Sequence, residues 1–228
     1  MSPIFVAIDT PDLARALEIV EAVRGHAGGV KLGLEFFSAQ GPEGIRRIAE
    51  LGLPLFLDLK FHDIPNTVAK AVEAVAPLKP AILTVHAGGG REMLWAAKRA
   101  APTDTKVVAV TLLTSLDAGD LSDLGIQRSP VEQVVRLAWV ARDAGVDGIV
   151  CSSAELREAR SAWPDGFFVV PGIRPAGVDV ADQKRVGTPG QALADGASVL
   201  VIGRPITGAP DPAQAIMDIA AGLSHMPA

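Results

Sequence analysis

The stretch Pro54–Thr67, PLFLDLKFHDIPNT, joins a short apolar run to a cluster of charge and then to a helix-opening proline. In an extended chain alternate residues share a face. Asp58 and Lys60 therefore point one way and Leu57 and Leu59 the other. Pro65 fits the first turn of a helix, where its missing N–H costs nothing, and Asn66 and Thr67 follow it there. One strand, one charged loop and one helix lie in fourteen residues. Charge at the end of a buried strand is costly unless it is paired or used.

The same unit recurs along the chain. Strands are predicted over 4–9, 29–34, 54–60, 81–87, 106–113, 148–152, 166–173 and 198–203, each a short aliphatic or β-branched run. Between them lie segments with apolar residues at spacings of three and four. PDLARALEIVEAVRG has Thr10 as its expected N-cap and Pro11 in its first turn. SPVEQVVRLAWVARDAG opens on Ser129 with Pro130 behind it and closes at Gly145, and DPAQAIMDIAAGL ends the series. Eight strand–helix units predict a parallel (β/α)8 TIM barrel, one domain over residues 1–228, in preference to a doubly wound open sheet. Active sites of that fold gather at the carboxyl ends of the strands. Here those ends carry Asp9, Lys60, His86, Thr114, Ser152, Arg174 and Arg204, with Lys31 inside the second strand.

Composition narrows the function classes. The chain is 228 residues long, 49% hydrophobic, with a net charge of −5. Mean hydropathy is +0.31 and the pI about 5.4. That balance supports a buried core and gives no basic footprint for nucleic acid or an anionic membrane. No run reaches membrane-spanning length, and the N-terminus lacks the layout of a signal peptide. Cys151 is the single cysteine, which excludes an internal disulfide and fits a reducing cytoplasm.

At the charged strand end the bland alternative is a structural ion pair. Asp9 and Lys31, arriving from neighbouring strands, favour a functional cluster, because so many charges in one cleft cost desolvation that stability does not require. A second signal lies after strands seven and eight, in VVPGIRPAG and VIGRPITGAP, where barrels commonly bind phosphate. Gly203 allows close backbone approach and Arg204 a forked contact to phosphate oxygens. The Gly- and Pro-rich segment 174–190, with Gln183, is a candidate lid. His62 and His86 read as orienting residues, Cys151 as a small core hydrophobe, and Trp95, Trp139 and Trp163 as packing outside the barrel.

The block DLKFHDIPNT, with AID in strand one, KLGLEFF in strand two, VTLLTS, PGIRP and VIGRPI, resembles the orotidine 5′-phosphate decarboxylase family in its bacterial form, in order and over essentially the whole chain. The resemblance implies cofactor-free conversion of orotidine 5′-monophosphate to UMP and CO2, with no metal. It implies that Lys60 stabilises and protonates a C6 carbanion, that Asp58 lies near the departing carboxylate, and that Lys31 continues the charged row to the ribose. Asp9 is expected on a ribose hydroxyl, Thr114 and Ser115 on the base, and Gln183, Gly203, Arg174 and Arg204 on the phosphate. Asp63 and Thr67 are expected to enter the partner's site in a homodimer. The rival is a metal-dependent sugar-phosphate decarboxylase or lyase on the same scaffold. The IPNT tail speaks against it, as does a cation at Lys31 where a metal site would want an acid.

Overall fold

The computed structural model describes residues 2–174 and 187–224. Strands β1 (Ile4–Ile8), β2 (Gly29–Gly33), β3 (Leu55–Phe61), β4 (Ile82–His86), β5 (Lys106–Val110), β6 (Gly148–Val150), β7 (Phe167–Val170) and β8 (Val199–Ile202) close into one barrel in chain order. Every neighbouring pair is parallel, including β1 with β8. The structure is the expected (β/α)8 TIM barrel and not an open sheet.

Helices α1 (Leu13–Val23), α2 (Leu34–Ala49), α3 (Pro65–Val75) and α4 (Gly90–Ala100) follow the first four strands. After β5 come α5 (Ala118–Asp123) and α6 (Pro130–Asp143), then α7 (Leu156–Ala162) and α8 (Pro189–Ala194). Short α9 (Arg204–Thr207) and then α10 (Pro212–Ser224) follow β8. The extra pieces α5 and α9 interrupt the simple alternation that the strand–helix pattern predicts.

Local chemistry sets the helix ends. Pro65 and Pro130 occupy first turns as expected. Ser129 caps α6 in a reciprocal box with Glu132. The cap of α1 is Asp12, not Thr10: Asp12 accepts the Ala14 N–H at 2.8 Å, while Thr10 Oγ1 accepts the N–H of Asp12. A carboxylate two residues closer to the apolar stripe wins the position. Inside α2, Gly41 takes a φ of 59° just before Pro42, which breaks the helix into two offset pieces. Several strands are shorter than predicted, β6 ending at Val150 and β7 at Val170. Each leaves the sheet at the first residue after its aliphatic run, Cys151 and Pro171.

Two apolar layers result. Outside the sheet, α1 lays Ala16, Ile19, Val20 and Val23 against the strands, and the other helices do likewise. Each large side chain so buried contributes about 1.5–3 kcal/mol. Trp163 belongs to this layer, whereas Trp95 and Trp139 are half exposed on α4 and α6. Inside the barrel a separate cluster joins Phe5, Phe56, Ile82, Val108, Val169, Val199 and Val201. Phe5 and Phe56 meet edge to face at 6.4 Å. A side chain at Gly29 would collide with the Phe5 ring, so glycine there makes room for the plug of the barrel.

Candidate active site

Two residues beyond the interior cluster, on the same inward faces, the chemistry changes. Phe56 gives way to Asp58, Gly29 to Lys31 and Ala7 to Asp9. The register places Ala7 beside Lys31 and Gly33 beside Asp58. The side chains form a continuous row. Asp9 Oδ1 lies 3.5 Å from Lys31 Nζ, Lys31 Nζ 3.3 Å from Asp58 Oδ2, and Asp58 Oδ1 2.8 Å from Lys60 Nζ.

Lys60 reaches this row by an irregular backbone. The β3–β4 ladder pairs Leu57 with Leu83 and next pairs Phe61 with Val85, so β3 carries additional residues against β4. Lys60 sits in that bulge with a φ of 49°. A bulge re-aims a side chain. Simple alternation had put Asp58 and Lys60 on one face; the structure brings them into contact, with the strand running on through Phe61.

The middle of the row is dry and its ends are wet. Side-chain exposure is 11% for Lys31 and 12% for Asp58, against 59% for Asp9 and 31% for Lys60. Burial by itself pushes the Asp58 carboxyl up. Lys31 and Lys60, helped by the Thr84 hydroxyl, outweigh it and hold the carboxyl below its ordinary value. Burial likewise pushes the Lys31 ammonium down, and Asp58 and Asp9 together more than reverse that. Both central groups are therefore held ionised. Gly33 gives the ammonium space, since a Cβ there would come within 3.3 Å of Lys31 Nζ.

The row forms one wall of a cavity of about 430 Å³ at the barrel mouth. Val110, Val150, Val169 and Val201 make its apolar base, and Leu112, Leu113 and Thr114 line it after β5. Pro171, Gly172 and Arg174 enter from the end of β7, and Gly203 and Arg204 from the end of β8. Arg174 is largely buried; its guanidinium donates to the Ile173 carbonyl at 3.0 Å, and its N–H to the Gly187 carbonyl at 3.0 Å. A Cβ at Gly203 would meet Ala7 and Asp9 only at ordinary contact distance, 3.4 and 3.5 Å. Both neighbours line the cavity, so the missing side chain leaves its rim open.

Thus Asp9, Lys31, Asp58, Lys60, Thr114, Arg174, Gly203 and Arg204 come together around one cavity. Ser115 is exposed and does not line it. Asp63 and Thr67 are also exposed and outside the chain's own cavity, Asp63 accepting the Ile64 N–H at 2.7 Å. Gln183 lies outside the described residues, as does most of the candidate lid. His62 and His86 do not line the cavity either. Their rings stack at 4.9 Å, 8° from parallel, and His86 Nδ1 accepts the Gly88 N–H. Burial, then His62, then Lys60 lower the pKa of His86. Cys151 is buried yet touches the cavity wall.

Among the described residues, four buried polar side chains, Thr84, Thr105, Thr111 and Glu155, fall outside the sequence reading. Glu155 takes both the N–H and the hydroxyl of Ser152, closing the loop after β6. Its signal was present, because Ser152 and Glu155 have the spacing of a capping box. Thr84 is completely buried in β4, between Ile82 and His86 on the inward face. Among the described residues no three His, Cys, Asp or Glu side chains group as a metal would need.

Fold and site define a class: a parallel (β/α)8 barrel with a row of alternating charge at the carboxyl ends of its first three strands and two arginines after its last two. The chain belongs to the orotidine 5′-phosphate decarboxylase / HUMPS family, whose model matches residues 2–219. It is 63% identical to the orotidine 5′-phosphate decarboxylase of Sphingopyxis alaskensis, over 97% of this chain and 99% of that one. The enzyme of the same name from Erythrobacter litoralis is 58% identical over the same shares. Among solved structures, the orotidine 5′-phosphate decarboxylase of Lactobacillus acidophilus superposes with a TM-score of 0.81 at 35% identity, covering 98% of this chain and 99% of that one.

Proposed function

We propose that this protein is a carboxy-lyase that converts orotidine 5′-monophosphate to UMP and CO2 in pyrimidine biosynthesis, without a cofactor. The observation that carries the reading is the row itself, with the Lys60 ammonium 2.8 Å from a buried carboxylate at the rim of a nucleotide-sized cavity. Heterolysis of the bond from C6 to the carboxylate releases CO2 and leaves an electron pair in the ring plane, where the π system cannot absorb it. Fixed charge must then do what an electron sink does elsewhere. Lys60 faces the developing carbanion, gives it a proton from Nζ, and is reprotonated by water. Asp58, itself held ionised by Lys31 and Lys60, keeps that ammonium in place before substrate arrives.

The remaining roles rest on the family resemblance, and the cavity lining supports those of Asp9, Lys31, Thr114, Arg174, Gly203 and Arg204. Asp9 and Lys31 take the ribose hydroxyls and Thr114 and Ser115 the base. Arg174, Gly203, Arg204 and Gln183 bind the phosphate, a remote group whose binding energy is used at the reacting carbon. Asp63 and Thr67, exposed beside a 67% exposed Ile64, serve the cavity of a second copy in a homodimer. Residues 1–228 act as one barrel domain in the cytoplasm. No helix among the described residues is long and apolar enough to cross a membrane.

A metal-dependent sugar-phosphate lyase would need carboxylates open to a cation. Here Lys31 occupies both Asp9 and Asp58. The test is decarboxylation of orotidine 5′-monophosphate by purified, metal-stripped protein. Full turnover in EDTA is expected, and loss on chelation sinks the cofactor-free reading. For the dimer, Lys60→Ala and Asp63→Ala subunits, each inactive alone, are expected to recover about a quarter of wild-type activity when mixed one to one. No recovery after verified subunit exchange defeats the shared site.

A further inference from the structure

Thr84 does not touch the cavity, yet its hydroxyl stands where the backbone of Lys60 and the carboxylate of Asp58 meet. The Lys60 N–H donates to Thr84 Oγ1 at 2.9 Å. Thr84 Oγ1 lies 3.1 Å from Asp58 Oδ1 and 3.5 Å from the Leu57 carbonyl oxygen. A hydroxyl has one hydrogen to give, and the nearer, anionic acceptor takes it. Asp58 Oδ1 is also the oxygen that contacts Lys60 Nζ at 2.8 Å. The contacts close a ring, from the Lys60 amide through the Thr84 hydroxyl to the Asp58 carboxylate and back to the Lys60 ammonium. One hydroxyl thereby holds Lys60 at both ends.

The backbone explains why such a hold is needed. Lys60 is one of two non-glycine residues with positive φ among the described residues, the other being Lys79 at the opposite end of the fold. Left-handed backbone persists at a non-glycine residue only where its surroundings over-determine it. The β3–β4 ladder skips from Leu57 to Phe61, so at Lys60 a side chain from β4 supplies the acceptor that a strand normally would.

We propose that Thr84 is a positioning residue for the decarboxylation: its hydroxyl locks the left-handed turn at Lys60 and the Asp58 carboxylate into one rigid unit, so the ammonium meets the reacting carbon in a fixed geometry. The inference rests on the decarboxylase reading above. It adds to that reading a residue outside the cavity on which the reaction depends. Preorganised charge is effective only while its geometry holds, and a displacement of about 1 Å can cost about 10²-fold in rate.

Thr84→Val removes the hydroxyl at nearly constant shape, and Thr84→Ser restores it. Steady-state kinetics on orotidine 5′-monophosphate and hydrogen exchange at the Lys60 amide are measured for both variants and for wild type. Thr84→Val is expected to fold, to lose roughly 10- to 100-fold in kcat with KM little changed, and to exchange the Lys60 amide faster while Leu57 and Phe61 keep their protection. Thr84→Ser is expected to recover most of both. Wild-type kcat and Lys60 exchange in Thr84→Val overturn the proposal, as does a folded Thr84→Ser that recovers neither. If Thr84→Val does not fold, Thr84→Ala is compared with Thr84→Ser, which differs from it by the hydroxyl alone, and the same two results decide. A wild-type protein that fails to decarboxylate the nucleotide defeats the decarboxylase reading, while exchange at Lys60 still decides whether Thr84 holds the turn.

Discussion

Two residues along each strand separate the apolar interior of the barrel from its charged mouth: Ala7 from Asp9, Phe56 from Asp58, Ile82 from Thr84. Below that line, aromatic and β-branched side chains fill the barrel through apolar contact. Above it, four ionised side chains are placed by distance and sign. The interior contributes stability in proportion to the surface it hides. The mouth forgoes some of that, since its central carboxylate and ammonium are desolvated and only their partners offset the cost. A structure that accepts such a cost in one layer and avoids it in the next has divided stability from chemistry.

The division can be broken by substitution. The largest effect is expected at Lys60: Lys60→Ala should lower kcat by about 10⁴-fold or more, while nucleotide binding survives and the thermal midpoint stays within about 4 °C. A variant that unfolds, or turns over normally, erases the boundary between the layers. Phe5→Ala tests the other side. Emptying that position should cost about 3–5 kcal/mol and lower the thermal midpoint by roughly 10 °C, with KM unchanged in whatever remains folded. A change in substrate affinity there would mean that the interior shapes the site directly.

Arg204→Ala sharpens the picture within the mouth. Loss of a charge-assisted contact to phosphate should lower kcat/KM roughly 10- to 100-fold, without the collapse of turnover expected at Lys60. Steady-state assays separate the two outcomes. The smallest effect concerns pH. Because the folded protein holds the His86 pKa below 6.5, the unfolded chain binds a proton that the folded one refuses as pH falls through that value. Stability is therefore lost toward acid, from about pH 6.5 down to the lower folded value. His86→Asn keeps an acceptor for the Gly88 N–H and should flatten this part of the stability profile, read by denaturant titrations from about pH 7 to pH 5. An unchanged slope would place the titration elsewhere.

The barrel and most of its site were legible in the chain, for a definite reason. Strand periodicity is two, so Asp9, Lys31 and Asp58 announced by position alone that they share the inward face with Ala7, Gly29 and Phe56. Proline at the head of α3 and α6, and serine before α6, marked those boundaries through backbone chemistry confined to a few residues. The cap of α1 was misplaced by two residues because Thr10 and Asp12 compete for one job, and only the fold shows which carboxylate or hydroxyl faces the open amides.

The order of charges along the chain, and hence the chemistry at the mouth, was determined by the sequence itself, because strand and helix periods decide which side chains share a face. Tertiary structure alone decided the bulge that turns Lys60 onto Asp58, the placing of Thr84 beneath both, and the exclusion of Ser115, Asp63 and Thr67 from the chain's own cavity. Those outcomes depend on how β3 registers against β4, twenty-four residues away for the Lys60–Thr84 contact. Register between strands is a balance of many contacts made at once, and no local pattern of residues contains it.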